Sequence, residues 1–267
     1  MRFIIFFSLL FSFIKTSHSE EKPLYEIGLI GSYFYLPHYR GSNEYEHKVL
    51  PLPYFVYRGK FLKSKEGKLR VGLNHHKWSY GLSFYVVPPM NKDTYSRRGM
   101  NELGAVLEVG PSLTYQWKKE ANYECYHSIK SRVSTALPDL RARYAGIQVE
   151  LSTGVKYQLS RKQKLQFNLT GLWSNNKKND YFYSVNQDDV LNDRPAYDSN
   201  HGYGGVALDA IYTKEINSKQ KIISFIRLDN TSGAVFEDSP LLKEKNNISF
   251  GVLYIYKLFK SKRTSSK

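Results

Sequence analysis

The sequence predicts an all-β protein, an antiparallel transmembrane β-barrel of ten to twelve strands, and three observations carry that prediction. From Leu103 to Trp117 the chain alternates without a break. Leu103, Ala105, Leu107, Val109, Pro111, Leu113, Tyr115 and Trp117 share one face, and Glu102, Gly104, Glu108, Gly110, Ser112, Thr114 and Gln116 share the other. A period of two marks a strand with opposed faces. This strand outruns an ordinary globular one and ends its apolar side in Tyr and Trp, which settle at membrane–water boundaries. Second, Met1-Arg2 leads into an apolar run from Phe3 to Ile14 and then to the small residues Ser17 and Ser19, the pattern of a cleavable secretory leader. Third, no later run has the length of a spanning helix, and the mean hydropathy of -0.49 is too polar for a helical membrane protein. If the mature chain lives in a membrane, it crosses as strands.

These readings divide the chain into a leader over 1–19, one barrel over 20–256 and a basic tail over 257–267. The single cysteine, Cys125, excludes an internal disulfide and reads as a small apolar side chain on a strand. Losing Arg2 and Lys15 with the leader lowers the formal charge from +15 to +13, so the mature chain stays strongly basic. Nucleic acid is not the expected partner, because the cations are not gathered on a helix or arm. They recur at strand ends and turns: Lys118 and Lys119; Arg161, Lys162 and Lys164; Lys214, Lys219 and Lys221; Lys257, Lys260, Lys262 and Arg263. Those places lie level with lipid and lipopolysaccharide head groups, where long basic side chains snorkel.

In chain order, looser alternation marks strands over Leu24–Leu36, Leu50–Arg58 and Phe61–Leu73. Trp78, Tyr80, Leu82, Phe84 and Val86 then form an outward set, followed by the Leu103 strand and one from Cys125 to Thr135. Ala145, Ile147, Val149, Leu151, Val155, Tyr157 and Leu159 oppose Gln148, Glu150, Ser152, Lys156 and Gln158. Leu165, Phe167, Leu169, Gly171 and Trp173 oppose Lys164, Gln166, Asn168, Thr170 and Ser174. Tyr203–Tyr212, Ile222–Asp229 and the outward set Ile248, Phe250, Val252, Tyr254 and Tyr256 complete the series. The sum is about eleven, whereas bacterial single-chain barrels are even-numbered. Gly59, Gly67 and the His75-His76 pair allow different splits between Leu50 and Trp78, so ten or twelve is expected. Connections alternate in length: short at 118–122, 160–162 and 214–218, long at 88–101, 138–144, 175–200 and 232–245. That is the asymmetry of periplasmic turns and external loops.

The final strand carries Ser249, Gly251, Tyr254 and Tyr256 at a polar-x-Gly-x-x-aromatic-x-aromatic spacing. This resembles the C-terminal signal read by the outer-membrane insertion machinery, although here a basic tail follows. Pro37-His38-Tyr39-Arg40-Gly41-Ser42, then Leu50-Pro51-Leu52-Pro53-Tyr54 and Tyr57-Arg58-Gly59, resemble the P-x-Y-x-G-S, P-x-P and Y-R pattern of the MipA/OmpV family of outer-membrane proteins. Tyr181-Phe182-Tyr183-Ser184-Val185 resembles that family's Y-Y/F-x-G-V segment, with Ser184 where Gly is usual, and Asp238-Ser239-Pro240 matches a further one. The resemblance implies an outer-membrane barrel; no cofactor is expected. It also implies a scaffold for a murein transglycosylase and a penicillin-binding protein, with porin-like or adhesive relatives. The motif residues read as structural: Pro37 and Gly41 shape a turn, and Pro51 and Pro53 restrict pairing at a strand start.

An enzyme is not expected. His127 and Ser128 are adjacent on a strand and point to opposite faces, and Ser131, on the face of His127, stands about 13 Å along it. Asp188, Asp189 and Asp193, with Asn186 and Asn192, lack the glycine and bidentate glutamate of an EF-hand and read as a solvated loop, so no metal site is assigned. Alternation turns Glu102, Glu108, Glu150, Lys130, Arg132, Lys156, Lys164, Asp209 and Arg227 into the lumen, as ion pairs filling it or as the lining of a polar pore.

Overall fold

The computed structural model describes residues 23–57, 62–65, 68–71, 74–75, 77–89, 94–138 and 141–263. The expected leader with Ser17 and Ser19, the Arg58-Gly59 pair and the end of the expected tail lie outside them. The chain order is β1 (Tyr25–Pro37), β2 (Tyr45–Tyr57), β3 (Leu62–Lys65), β4 (Lys68–Val71), β5 (Asn74–His75) and β6 (Trp78–Val87). Then follow β7 (Ala105–Lys119), β8 (Tyr123–Leu137), β9 (Arg143–Ser160), β10 (Gln163–Ser174), a helix α1 (Asn176–Tyr183), β11 (Gly202–Glu215), β12 (Gln220–Asn230) and β13 (Asn246–Lys260).

All strands join one 13-stranded sheet ordered β2-β1-β13-β12-β11-β10-β9-β8-β7-β6-β4-β3, with β5 pairing β6 beside that path. Every neighbouring pair is antiparallel. The first and last strands, β1 and β13, pair from Glu26↔Lys260 to Tyr35↔Phe250. The two ends of the order, β2 and β3, are consecutive in the chain and in contact, so the sheet returns on itself as a barrel. Since β4 and β5 both pair with β6 and follow one another, they are one interrupted stave, and the thirteen strands make twelve. Counted in this way among the described residues, the number lies within the expected ten to twelve. From β7 to β13 each strand has 11 to 18 residues, enough for the roughly 9–11 that a tilted strand needs to cross a bilayer. Among the described residues no helix is long and apolar enough to do so.

The alternation assigns the two faces well. In β13, Ile248, Phe250, Val252, Tyr254 and Tyr256 are exposed on the outer wall, while Asn247, Ser249, Gly251 and Ile255 are buried. In β10, Phe167, Leu169 and Trp173 face out and Thr170 is buried inward. Rings pair across strands on the outer wall, as with Trp78 against Tyr115 at 4.6 Å and Tyr35 against Phe250 at 5.1 Å, the packing that stabilises a sheet face.

The differences are local. Leu103 precedes β7 and is buried under the loops, and Glu102 beside it is exposed at the rim, so neither sits on the face expected for it. Ala145 is buried because Gly146 takes φ +102 and the β8–β9 register shifts near it, turning the strand end over. Pro51 and Pro53 lie inside β2, opposite Gly31 and Leu29 of β1, and not at its start. β13 runs four residues beyond Tyr256, taking the first part of the expected tail into the wall. The 175–200 connection, expected as loop alone, contains α1, whose Asn175 N-cap accepts the backbone N–H of Lys178 at 3.1 Å.

Candidate functional site

The barrel is asymmetric along its axis. Its long-loop end is closed by a packed cap. Tyr39, from the β1–β2 connection, packs with Tyr183, Val185, Ala234, Phe236 and Leu241 from the β10–β11 and β12–β13 connections. Tyr183 and Phe236 stack at 3.7 Å between ring centres, with planes 7° apart. The hydroxyl of Tyr39 meets Ser96 Oγ at 2.8 Å and donates to the Leu241 carbonyl. Tyr183 donates to the Arg40 carbonyl at 2.9 Å, and Ser239 Oγ donates to the Tyr183 carbonyl at 2.6 Å. Burial raises the phenols of Tyr39 and Tyr183 above their usual range, so both stay neutral donors.

Gly41 takes φ +95, a backbone that L side chains rarely adopt. Its N–H donates to Asn247 Oδ1 at 2.6 Å, and its carbonyl accepts from the Lys243 and Glu244 N–H groups. Asn247 Nδ2 donates to the carbonyl of Ser42, itself fully buried. The motif residues Tyr39, Gly41, Ser42, Tyr183, Val185 and Ser239, scattered along the sequence, therefore converge in one place. Two arginines that sequence reading passed over knit the loops together. Arg97 Nη1 donates to the Phe182 carbonyl at 2.9 Å, and Arg194 donates to the carbonyls of Ser96, Arg98 and Asp189. Buried guanidinium groups have the five donors such bridging needs.

Beneath the cap an ion-pair layer spans the lumen. Glu108 accepts Arg132 Nε at 2.9 Å and Lys178 Nζ at 2.6 Å. Arg132 also holds Glu150, which pairs with Lys130 at 2.7 Å. Across the lumen Arg227 joins Asp209 at 3.1 Å and Asp229 at 2.8 Å, and Asp229 takes Arg40 Nε at 2.8 Å. Thus α1 is pinned from inside by Lys178, and the β1–β2 loop by Arg40. Burial pushes the Lys178 ammonium below its ordinary range, while Glu108 draws it back up. Lys178 was not legible as a lumen residue, because it sits in a polar stretch with no alternation around it.

The short-turn end is open. A cavity of about 620 Å³ runs from the ion-pair layer to the β7–β8 turn. Lys130, Arg132, Glu150, Lys156, Lys164, Asp209 and Arg227 all line it, as the alternation places them. Glu108 lies above, in the buried layer.

The pairings considered for catalysis stay apart. His127 is exposed on the outer wall with its ring against Trp117, while Ser128 is buried and faces the cavity. Asp193 pairs with Arg98 and Asp189 bonds Asn186, and no cluster of three metal-holding side chains occurs among the described residues.

The family profile described as MltA-interacting protein MipA matches residues 28–258. The chain belongs to this family. No curated protein matches the sequence. Among solved structures, the chain is similar to the COG4313 outer membrane channel from Pseudomonas putida F1, with 13% identity, 90% of this chain and 98% of that one covered, and a TM-score of 0.49. It is also similar to the outer-membrane expressed OmpT of Vibrio cholerae, at 7% identity over 89% of this chain and 99% of that one, TM-score 0.36. A third likeness is to the Ralstonia pickettii toluene transporter TbuX, at 9% identity over 91% and 71%, TM-score 0.29. The fold assignment rests on the strand ladder, to which these distant likenesses add nothing.

Proposed function

We propose that this MipA-family barrel is a non-enzymatic scaffold of the Gram-negative outer membrane, docking murein-cleaving and murein-synthesising enzymes on its periplasmic side. The observation that carries the reading is the axial asymmetry, with a packed cap at one end and an open vestibule reaching the β7–β8 turn at the other. Short turns face the periplasm in such barrels, so the accessible end is the one that periplasmic partners meet. The family description supplies the partner class, an MltA-type murein transglycosylase; a penicillin-binding protein is the second partner that the sequence resemblance implies. Lipid and lipopolysaccharide contact the outer wall, and the insertion machinery meets Ser249, Gly251, Tyr254 and Tyr256 during assembly. A small-solute porin or an adhesin is the alternative. The porin version requires the cap to move, and no lipid-modifying chemistry is built from His127 and Ser128.

Photocrosslinkers placed at Asn122, Asn217 and Lys262, in the short turns and tail, test the reading in intact cells. Mass spectrometry is expected to identify murein hydrolases or synthases among the adducts. Adducts restricted to lipid and assembly factors at all three positions would remove the scaffold.

A further inference from the structure

Filling the barrel or meeting the membrane does not require a vestibule of this composition. Its volume of about 620 Å³ falls within the roughly 300–1,000 Å³ typical of small-molecule sites. The wall is built from groups that both donate and accept, such as Gln166, Asn168, Thr170 and Thr213. Sugar hydroxyls offer the same dual character. Gln166 Nε2 lies 2.9 Å from both Tyr126 Oη and Asn168 Oδ1, and Ser152 Oγ lies 2.9 Å from Thr170 Oγ1, so the wall is pre-organised across three strands.

Charge narrows the ligand further. Each lining carboxylate on these strands already has a cation: Glu150 has Lys130 and Arg132, Glu124 has Lys156, and Asp209 has Arg227. The cavity therefore has little to offer a cationic ligand or a metal. On the short turns and the tail at this end, Lys119, Arg161, Lys162, Lys214, Lys219 and Lys262 are exposed, against Glu120 and Glu215. A cleft whose rim carries an excess of one sign of charge focuses its field on the opposite sign. The wall sets these polar groups among apolar side chains such as Tyr126, Ile211 and Ile223, surfaces that a sugar ring also offers, and the cationic mouth selects anions.

We propose that the vestibule and its rim bind a short carboxylate-bearing oligosaccharide, of the kind that the murein glycan strand and its peptide stems present. This rests on the periplasmic orientation adopted above and deepens that reading, since the barrel would then hold the polymer as well as the enzymes that act on it. The vestibule takes sugar units against the amide and hydroxyl wall, and the rim lysines take the carboxylates.

The test is calorimetric titration of the full mature protein in detergent micelles with a purified murein disaccharide-tetrapeptide. A neutral chitotetraose and poly-glutamate serve as comparison ligands. The disaccharide-tetrapeptide is expected to bind at least tenfold more tightly than either, with affinity falling as salt rises. Thr213→Trp narrows the vestibule while leaving every rim lysine in place and is expected to weaken binding at least tenfold. Lys162→Glu with Lys219→Glu leaves the vestibule intact and is expected to weaken it as much while flattening the salt dependence. Heat-modifiable gel mobility checks that each variant folds. No binding of the disaccharide-tetrapeptide overturns the proposal. So does poly-glutamate binding as tightly, which is ion exchange at the rim. The crosslinking experiment is separate: enzymes captured by a protein that binds no glycan sink this proposal and leave the scaffold, whereas glycan binding without enzyme capture does the reverse.

Discussion

Arg132→Met is expected to destabilise the folded barrel by about 3–5 kcal/mol, the usual cost of removing one partner from a buried charge network. Arg132 is only 2% exposed and is shared by Glu108 and Glu150. Without it, Glu108 keeps Lys178 and Ser134 at one oxygen and Glu150 keeps Lys130 and Gln148, so each carboxylate retains one lysine, but the buried Glu108 oxygen that took Arg132 Nε loses that donor. The loss is electrostatic, because methionine fills much of the same volume. Arg132→Lys, which returns a cation with hydrogen-bond donors to the same place, is therefore expected to lose less than half as much. Urea unfolding in micelles, followed by tryptophan fluorescence, measures both. A single variant within about 1 kcal/mol of the parent, a value typical of exposed pairs, would mean that the layer is bathed in solvent and does not close the lumen.

Phe236→Ala is expected to open the cap while leaving the wall assembled. Phe236 is 1% exposed and stacks on Tyr183, and truncating a buried aromatic costs about 3–5 kcal/mol. That cost falls on loops tied to the barrel by side-chain bonds, not on the strand ladders, so the cap loosens first. In planar bilayers the parent protein is expected to sit at the lipid baseline. Phe236→Ala combined with Lys178→Ala, which also unpins α1 from Glu108, is expected to give discrete openings. A parent protein with a stable ohmic conductance would place a permanent path through the cap and favour the porin alternative.

The wall was legible in the sequence because its determinant is local. A strand between lipid and water must alternate, so Phe250, Val252 and Tyr254 name the outside of β13, and Ser249 and Gly251 its inside, without knowledge of any neighbour. The same rule placed Lys130, Arg132, Glu150, Asp209 and Arg227 in the lumen. It failed where one backbone conformation reset the phase, as Gly146 does for Ala145. It also failed where the chain leaves the wall, as at Glu102 and Leu103. The cap was not legible as a cap. Its motifs were visible as short family patterns, but the contact of Tyr39 with Leu241, or of Lys178 with Glu108, joins residues whose separation carries no periodic signal. The choice between filled lumen and open pore needed those contacts, since charge pairing within the wall alone is compatible with either.

The central claim is that the lumen is sealed from the long-loop side and open from the short-turn side. Its most direct test is the labelling of one vestibule position from each side of the membrane. Cys125 is the only cysteine, so Cys125→Ser gives a clean background for Asn168→Cys, whose thiol would line the vestibule. A bulky, membrane-impermeant maleimide applied to intact cells is expected to leave it unlabelled, and the same reagent is expected to label it once the periplasm is opened. Rapid labelling from outside intact cells would contradict the account.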